Sequence, residues 1–506
     1  MERHQKEVDL IAASVKGFYD RKEKFRIHHG STNSTRKSAL GRDPKKVVDT
    51  SRLNHVLHID VERRTALVEP NVPMDRLVEA TLPYGLVPPV VMEFPGITCG
   101  GGYAGTSGES SSFKHGFFNR TLNKTEMVLA TGEIVTCSED QYPDLFHGAA
   151  GAVGSFGVTT LVEIQLKKAA KYVETTYHPV SSMDEAIEKT KTFSTIDSEW
   201  DYVDGIMYSQ TSGAIVTGKM TDNPSPSLPI RRFSAPKDPW FYLHVQDLIS
   251  KHPDAPTTET IPLPEYLFRY DRGGFWVGRQ AFNYFHFPFN AFTRWWLDDF
   301  LHTRMLYKAL HGSGQSDQMI VQDLALPYDT AKAFVEFTDK ETGIWPLWLC
   351  PLRQSPMPTM HPQHAAYESD DKTLQPMLNI GLWGKGPDDY DSFVKLNRAI
   401  ELKLKELKGM RWLYAQTYHS ESEFWADFDR KWYDGLREKY TANTLPTVYE
   451  KVFVEPEQKK AKSNSWTETL RRTWPFGGFV GLTKAIQSKD YVDARKSAWK
   501  DWIPRN

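Results

Sequence analysis

Two stretches of small and hydroxyl-bearing residues are the first places where chemistry could be done. They are Gly30-Ser31-Thr32-Asn33-Ser34-Thr35 and the run Gly100-Gly101-Gly102-Tyr103-Ala104-Gly105-Thr106-Ser107-Gly108-Glu109-Ser110-Ser111-Ser112. Glycine lets main-chain N–H groups approach a ligand without an intervening Cβ, and successive N–H groups form anion-binding nests. Serine and threonine hydroxyls add donors to phosphate oxygens. Two such stretches in the first third of the chain suit a pyrophosphate-containing cofactor held extended, while a pair of surface loops is the plainer alternative. The second run also satisfies G-x-G-x-x-G, with Glu126 downstream. A Rossmann fingerprint, however, needs an apolar strand running into its first glycine. Here Phe94-Pro95-Gly96-Ile97-Thr98 precedes it, and Pro95 cannot donate to a sheet ladder. That argues against the Rossmann reading.

A second group of candidates lies near the end of the chain, at Tyr414, Tyr418, His419 and Glu421. A tyrosine donates a proton readily when a cation steadies its phenolate, and Arg411 or Arg353 could supply one. In a chain with 22 tyrosines, a packed ring with a satisfied hydroxyl is the competing reading of each. Between these groups, residues 266–300 are crowded with Phe268, Tyr270, Phe275, Trp276, Phe282, Tyr284, Phe285, Phe287, Phe289, Trp295 and Trp296. Such a run makes an apolar wall for a fused-ring ligand, a surface that dips into a bilayer, or simple core. Arg269, Arg272 and Arg279 interrupt it and are candidates for the phosphates of a nicotinamide reductant.

The elements that must position these residues are many short strands with a few helices. Apolar positions Val8, Ile11, Ala12, Val15 and Phe18 lie on one helix face. Phe25 to His29 reads as a strand leading into the first glycine stretch. Alternating segments at 56–60 and 65–70 read as paired strands, followed by helical spacing over 74–82. Further strands are expected at 126–130, 134–136, 158–166, 214–217, 345–349 and 377–381, with helices at 183–193 and 391–407. This pattern predicts an α+β architecture, not regular βα alternation. Residues 221–239 are rich in Pro and Ser and read as a surface excursion.

Composition excludes several classes. The 506 residues carry 62 Lys+Arg against 64 Asp+Glu, so no overall charge draws the protein to nucleic acid. Three widely separated cysteines exclude a disulfide scaffold and a Cys-rich zinc site. No stretch resembles a signal peptide or is apolar for long enough to span a bilayer, so the expected location is intracellular, cytoplasmic or peripheral on an internal membrane. The sequons at Asn33, Asn119 and Asn123 then read as accidents of composition. After Pro456 the sequence holds 11 Lys/Arg against 5 Asp/Glu, interleaved with Trp466, Trp474, Phe476, Phe479, Trp499 and Trp502. That tail suits either a peripheral membrane contact or an arm packed on the protein's own surface.

Read in order, residues 26–35, Val68-Glu69-Pro70, Pro95-Gly96-Ile97-Thr98-Cys99-Gly100-Gly101, Gly105-Thr106-Ser107-Gly108-Glu109-Ser110-Ser111-Ser112 and Leu129-Ala130-Thr131-Gly132 resemble a vanillyl-alcohol-oxidase (PCMH) type FAD domain. More narrowly, the sequence resembles the Δ24-sterol reductase branch from about residue 25 to 453. That likeness includes Phe113-Lys114-His115-Gly116, Val321-Gln322-Asp323, Ile344-Trp345-Pro346-Leu347-Trp348-Leu349-Cys350-Pro351 and Leu413-Tyr414-Ala415-Gln416-Thr417-Tyr418. The resemblance implies an FAD domain over 1–170, a mixed α/β cap over 171–407, a return to the FAD domain over 408–455, and an extra tail over 456–506. It implies that Gly30, Ser31, Thr32, Asn33, Ser34, Pro95, Gly96, Thr98, Gly100, Gly101, Thr106, Gly108, Glu109, Ser110 and Ser111 hold the cofactor. Val158 would back it with main-chain atoms. Where some relatives tether FAD through a histidine in the first loop, this sequence has Thr32 or Asn33, so dissociable FAD is expected. The implied activity is reduction of a carbon–carbon double bond in the side chain of a sterol. NADPH would supply the hydride, with Tyr414, Tyr418 or His419 as proton source. An oxidase or dehydrogenase of an alcohol, sugar or phenol is the alternative, and a non-catalytic lipid-binding flavoprotein a remote one. Substrate identity and oligomeric state are not legible.

Overall fold

The computed structural model describes residues 1–30, 46–313, 318–363, 374–454 and 476–502. Two antiparallel sheets organise them, and the α+β expectation holds. The first sheet comprises β1 (Val56–Asp60), β2 (Thr65–Val68), β3 (Leu122–Leu129), β4 (Ile134–Ser138) and β5 (Gly157–Gln165), in the order β1-β2-β5-β3-β4. The two expected hairpins are present, with Asp60 opposite Thr65 and Val128 opposite Ile134. The helix Glu2–Asp20 buries Val8, Ile11, Val15 and Phe18 in one cluster with Val128, Ala130 and Val158 of this sheet. Its spacing was readable because those side chains return every three or four residues.

The second sheet has eight strands: β6 (Tyr172–Val180), β7 (Tyr202–Ser209), β8 (Ser212–Thr221), β9 (Thr257–Pro262), β10 (Met319–Leu326), β11 (Leu347–Arg353), β12 (Pro376–Lys385) and β13 (Met410–Arg411). Their order is β9-β6-β8-β7-β11-β12-β10-β13, and every neighbouring pair is antiparallel. The central strands are buried on both faces and so read as near-continuous apolar runs. The side-chain period of two nonetheless sorts them. Val203, Met207, Leu324, Leu349, Ile380 and Leu382 pack under the helices Met183–Phe193, Tyr328–Thr342 and Tyr390–Glu406. Their strand neighbours Asp204, Asp323, Trp348, Asn379 and Trp383 therefore project from the opposite face. That face meets residues 93–112 of the first region, where Val203 N–H donates to Ser110 O at 2.8 Å. Gly381 stands between Trp348 and Trp383, where a Cβ would come within 2.8 Å of the Trp383 ring.

Of the basic tail, the helix Phe476–Ser488 packs against Thr303–Ser313, and Trp499 is buried against Phe268 with ring centroids 5.0 Å apart. Lys500 O accepts from Arg232 Nη2, so this part is an arm on the protein's own surface. Trp466 and Trp474 lie outside the described residues.

Candidate functional site

The glycine run is not the open loop its composition suggests. Cys99–Gly105 forms a short helix whose cap, Thr98, accepts from Gly101 N–H at 3.1 Å. The N–H groups of Cys99 and Gly100 donate to Val72 O and Pro70 O. Gly100 is needed because a Cβ there would lie 2.6 Å from Pro70 Cβ. No strand enters this helix; Thr98 makes only an isolated bridge to Pro73, which bears out setting the Rossmann reading aside. Pro95 O accepts from Arg304, and Gly96 follows it in the turn that leads to Thr98. Val158 lies in β5 opposite Val128, its side chain in the core. Gly30 has φ +80°, while Ser31, Thr32, Asn33 and Ser34 fall outside the described residues.

Beyond the helix, the backbone turns sharply at Thr106, φ +60°, whose carbonyl accepts from Trp412 Nε1. Its Oγ1 is buried without a partner, and so is His361 Nε2 from the second region. Both converge on Gly151: a Cβ there would be 2.3 Å from Thr106 Oγ1 and 2.5 Å from the His361 ring. Burial pushes His361 down to about 3, so its ring is neutral, and Nδ1 is held by Ser355 Oγ at 2.5 Å. Gly151 is required by this close packing, and Thr106 Oγ1 and His361 Nε2 are left as buried polar atoms to which a ligand with a hydrogen-bonding edge would bind. Glu109 N–H donates to Ser112 Oγ, and Ser111 Oγ donates to Pro89 O, so this turn is self-supported.

Next to it the two regions bring an excess of acids together. Arg269, fully buried, donates from Nη2 to Glu93 Oε1 at 2.8 Å and to Asp204 Oδ2 at 2.9 Å. Tyr270 and Trp348 also donate to Asp204 Oδ2, at 2.7 and 3.0 Å. One guanidinium cannot balance Glu93, Asp204 and the neighbouring buried Glu109. Burial pushes the Glu93 and Glu109 carboxyls well up, Arg269 only partly opposing it, and Glu93 and Asp323 push Glu109 further. Asp323 closes the row on β10. Tyr414 OH donates to its Oδ2 at 2.9 Å and Asn379 Nδ2 to its Oδ1 at 3.0 Å, yet burial still pushes it up to about 6. Burial and the Asp323 charge push Tyr414 well above the ordinary phenol value. Rings line the same seam: Phe275 stacks on Tyr270 at 3.9 Å and lies 4.5 Å from Trp383, and Phe94 meets Tyr307 at 6.1 Å.

Several expectations need correction. Tyr414, Tyr418 and His419 do not form one cluster, and the Tyr414 hydroxyl meets a carboxyl where a guanidinium was expected. Arg411 instead pairs with Glu401 and Thr417. Tyr418 packs in the core under the helices, near Phe393, and His419 Nε2 lies 3.2 Å from Glu401 Oε2. Burial lowers His419, which disfavours a cationic acid there. Arg269 and Arg272 cannot meet a nicotinamide's phosphates: both are buried, Arg272 pairing with Asp298 and the carbonyls of Pro236 and Asp238. Arg279 is exposed beside Phe289. Glu93, Asp204 and Asn379 did not stand out in the sequence as site residues, and Asp323 had no role there. The available signal was a polar residue in the middle of each apolar strand, on the face shared with Trp348 and Trp383.

Comparison with known proteins identifies the cofactor domain and the relatives of the chain. Residues 5–138 match the family described as FAD binding domain. The protein carries a PCMH-type FAD binding domain. It is 29% identical over 412 residues to a Delta(24)-sterol reductase of Homo sapiens, covering 79% of this chain and 76% of that one. With a Delta(24)-sterol reductase of Arabidopsis thaliana it shares 29% over 433 residues, 80% and 76% of the two chains. A Delta(24)-sterol reductase homolog of Caenorhabditis elegans is 26% identical over 481 residues, 89% of this chain and 87% of the other. The protein is an FAD-dependent oxidoreductase related to these enzymes. The unpartnered Thr106 Oγ1 and His361 Nε2 are a hydroxyl and a ring nitrogen of the kind that the polar edge of such a cofactor takes as partners. Among the described residues no helix is long and apolar enough to cross a membrane.

Proposed function

We propose that the protein reduces an isolated carbon–carbon double bond in the side chain of a sterol or similar apolar molecule, with NADPH as the source of electrons. The observation that carries this reading, beside the likeness to sterol reductases, is a buried row of under-compensated acids set in an aromatic wall. Reducing such a bond requires hydride at one carbon and a proton at the other. FAD, when bound, supplies the hydride. Thr106, Gly108, Glu109 and His361 are proposed to hold it, with Gly30, Ser31, Thr32, Asn33, Ser34, Pro95, Gly96, Thr98, Gly100, Gly101, Ser110, Ser111 and Val158 as further contacts by resemblance; the cofactor is proposed to be dissociable.

Asp323 and Tyr414 do the proton work. When Asp323 is protonated, its Oδ2–H donates to Tyr414 Oη, and the phenolic O–H is freed to point at a substrate carbon. When Asp323 is ionised, that O–H is spent on Oδ2. Donation should therefore weaken as pH rises through about 6. Asn379 fixes the carboxyl's orientation, and the rings of Phe275, Trp348 and Trp383 exclude water that would otherwise reprotonate the seam. The test is anaerobic. NADPH should bleach the protein's yellow colour, and a Δ24-unsaturated sterol should restore it while becoming saturated. A flavin that NADPH reduces but no Δ24-sterol reoxidises would sink the reading. Reduction by an alcohol, sugar or phenol with reoxidation by oxygen would replace it with the oxidase reading.

A further inference from the structure

A helix with no buried residue needs another reason to be ordered and apolar. Ala291–Trp296, sequence AFTRWW, is such a helix. Phe292, Trp295 and Trp296 are 67%, 51% and 61% exposed, and Phe287 just before them is 44% exposed. No other stretch of ten described residues holds more than two large exposed apolar side chains. The segment is not frayed. A capping box ties Asn290 to Thr293, and beneath it Phe289 packs on Trp240 and Phe282 at 5.5 and 5.1 Å. The Arg294 guanidinium lies over the Phe289 ring at 4.9 Å. The exposed rings are thus carried on a firm base, and so is their cost of hydration.

Charge identifies what they face. From Gly273 to Leu297 there is no Asp or Glu, whereas Arg279 and Arg294 fall within the segment; Asp298 and Asp299, which follow it, are already paired with Arg272 and Arg495. An isologous contact with a second copy would set these cations against their own images with no acid between them. An anionic lipid surface has the opposite sign. Tryptophan and phenylalanine are also the side chains that suit the headgroup–acyl boundary, with an apolar body and, for tryptophan, one N–H left for water or phosphate.

We propose that Phe287, Phe292, Trp295 and Trp296, flanked by Arg279 and Arg294, form a bilayer-docking patch that seats the protein on an anionic membrane surface. The patch lies on the segment that follows Phe275 and Trp276 of the aromatic wall, so docking would hold the seam close to the phase in which an apolar substrate dissolves. Docking itself requires neither substrate nor cofactor turnover, and it is tested without them.

The experiment is flotation of the full-length protein with phosphatidylcholine vesicles, with and without phosphatidylserine. Wild type should float, more strongly with phosphatidylserine and less so in high salt. The triple variant Phe292→Ser/Trp295→Ser/Trp296→Ser should lose about tenfold or more of its vesicle partitioning with an unchanged thermal melt, because none of the three side chains is buried. Vesicles with brominated acyl groups should quench wild-type tryptophan fluorescence, a readout that needs no variant. Failure of the wild type to float or be quenched would overturn the proposal. So would a triple variant that floats equally well, or one that changes only the molar mass in light scattering, which would assign the patch to a second copy. None of these outcomes depends on which substrate the flavin serves.

Discussion

Tyr414 and His419 stand five residues apart in the sequence and meet opposite electrostatic conditions. Tyr414 faces a seam where Arg269 is the buried guanidinium set among Glu93, Glu109 and Asp204, with Asp323 beside them. His419 faces Glu401, which is paired with Arg398 and Arg411 and also accepts from Thr417 and the Tyr418 N–H. In the seam, Glu93 Oε2, Asp204 Oδ1 and Arg269 Nε have no hydrogen-bond partner. Behind it, the single carboxylate is over-supplied with donors. A buried acid short of counter-charge holds its proton and can lend it, whereas one held by two guanidiniums and further donors acts as a rivet. The contrast separates a site from a strut although both are buried and both include a tyrosine or histidine.

The largest effect that would break this comparison is expected at Arg269. Arg269→Met leaves Glu93 and Asp204 without their cation and should cost roughly 3–5 kcal/mol of stability. Protonation relieves part of that, so the loss should be smaller near pH 5 than near pH 8 in denaturant melts. An equal loss at both pH values would mean that the seam acids are not proton-holding.

The division was half-visible in the sequence. The helix Glu2–Asp20 and the hairpins of the first sheet followed from period and turn residues, because each has one dry face and one wet one. The second sheet is buried on both faces, so its apolar runs hide which residues share a face until a register is known. Met207, Leu349 and Ile380 had to be seen under their helices before Asp204, Asp323 and Asn379 could be placed together. Composition could not show the packing at 99–105, where Gly100 and Gly102 are also required by close approach to Pro70 and Phe118. Arg269 was equally opaque: an arginine among aromatics reads as exposed, and only the fold supplies two carboxylates from segments 65 and 176 residues away.

Asp323→Asn should give the next largest change, lowering the rate of flavin reoxidation by substrate by about 10²-fold. Stability provides a second readout. A carboxyl whose folded value is raised binds more protons when folded, so wild-type stability falls as pH climbs from its ordinary value toward about 6. The span corresponds to about 3 kcal/mol, and it should be missing from the variant's pH–stability profile. Glu401→Gln tests the other side. Arg411 and Arg398 lose their shared charge, for an expected loss of about 2–3 kcal/mol, while the pH limb of turnover near 6 stays where it was. If that limb moved with Glu401, the strut would be part of the site.

The smallest and sharpest comparison is between two single oxygen atoms. Tyr418→Phe removes a hydroxyl that donates to Gln416 Oε1 at 3.2 Å inside the helix-side core. It should cost about 1 kcal/mol of stability and leave turnover unchanged. Tyr414→Phe removes a hydroxyl that donates to an acid already reluctant to ionise. Asp323 then loses one of its two donors, so its pKa should rise above about 6 and the acid form should persist to higher pH. Stability near pH 5 should therefore change little, because a protonated Asp323 needs the donor less, while near neutrality it should fall by about 1 kcal/mol as the ionised carboxyl misses that donor. Turnover should fall, and by a factor that does not recover at low pH, since protonating Asp323 no longer frees a phenolic proton. Should Tyr414→Phe regain wild-type turnover below pH 6, Asp323 itself would be the group that reaches the substrate, with Tyr414 only its positioning residue.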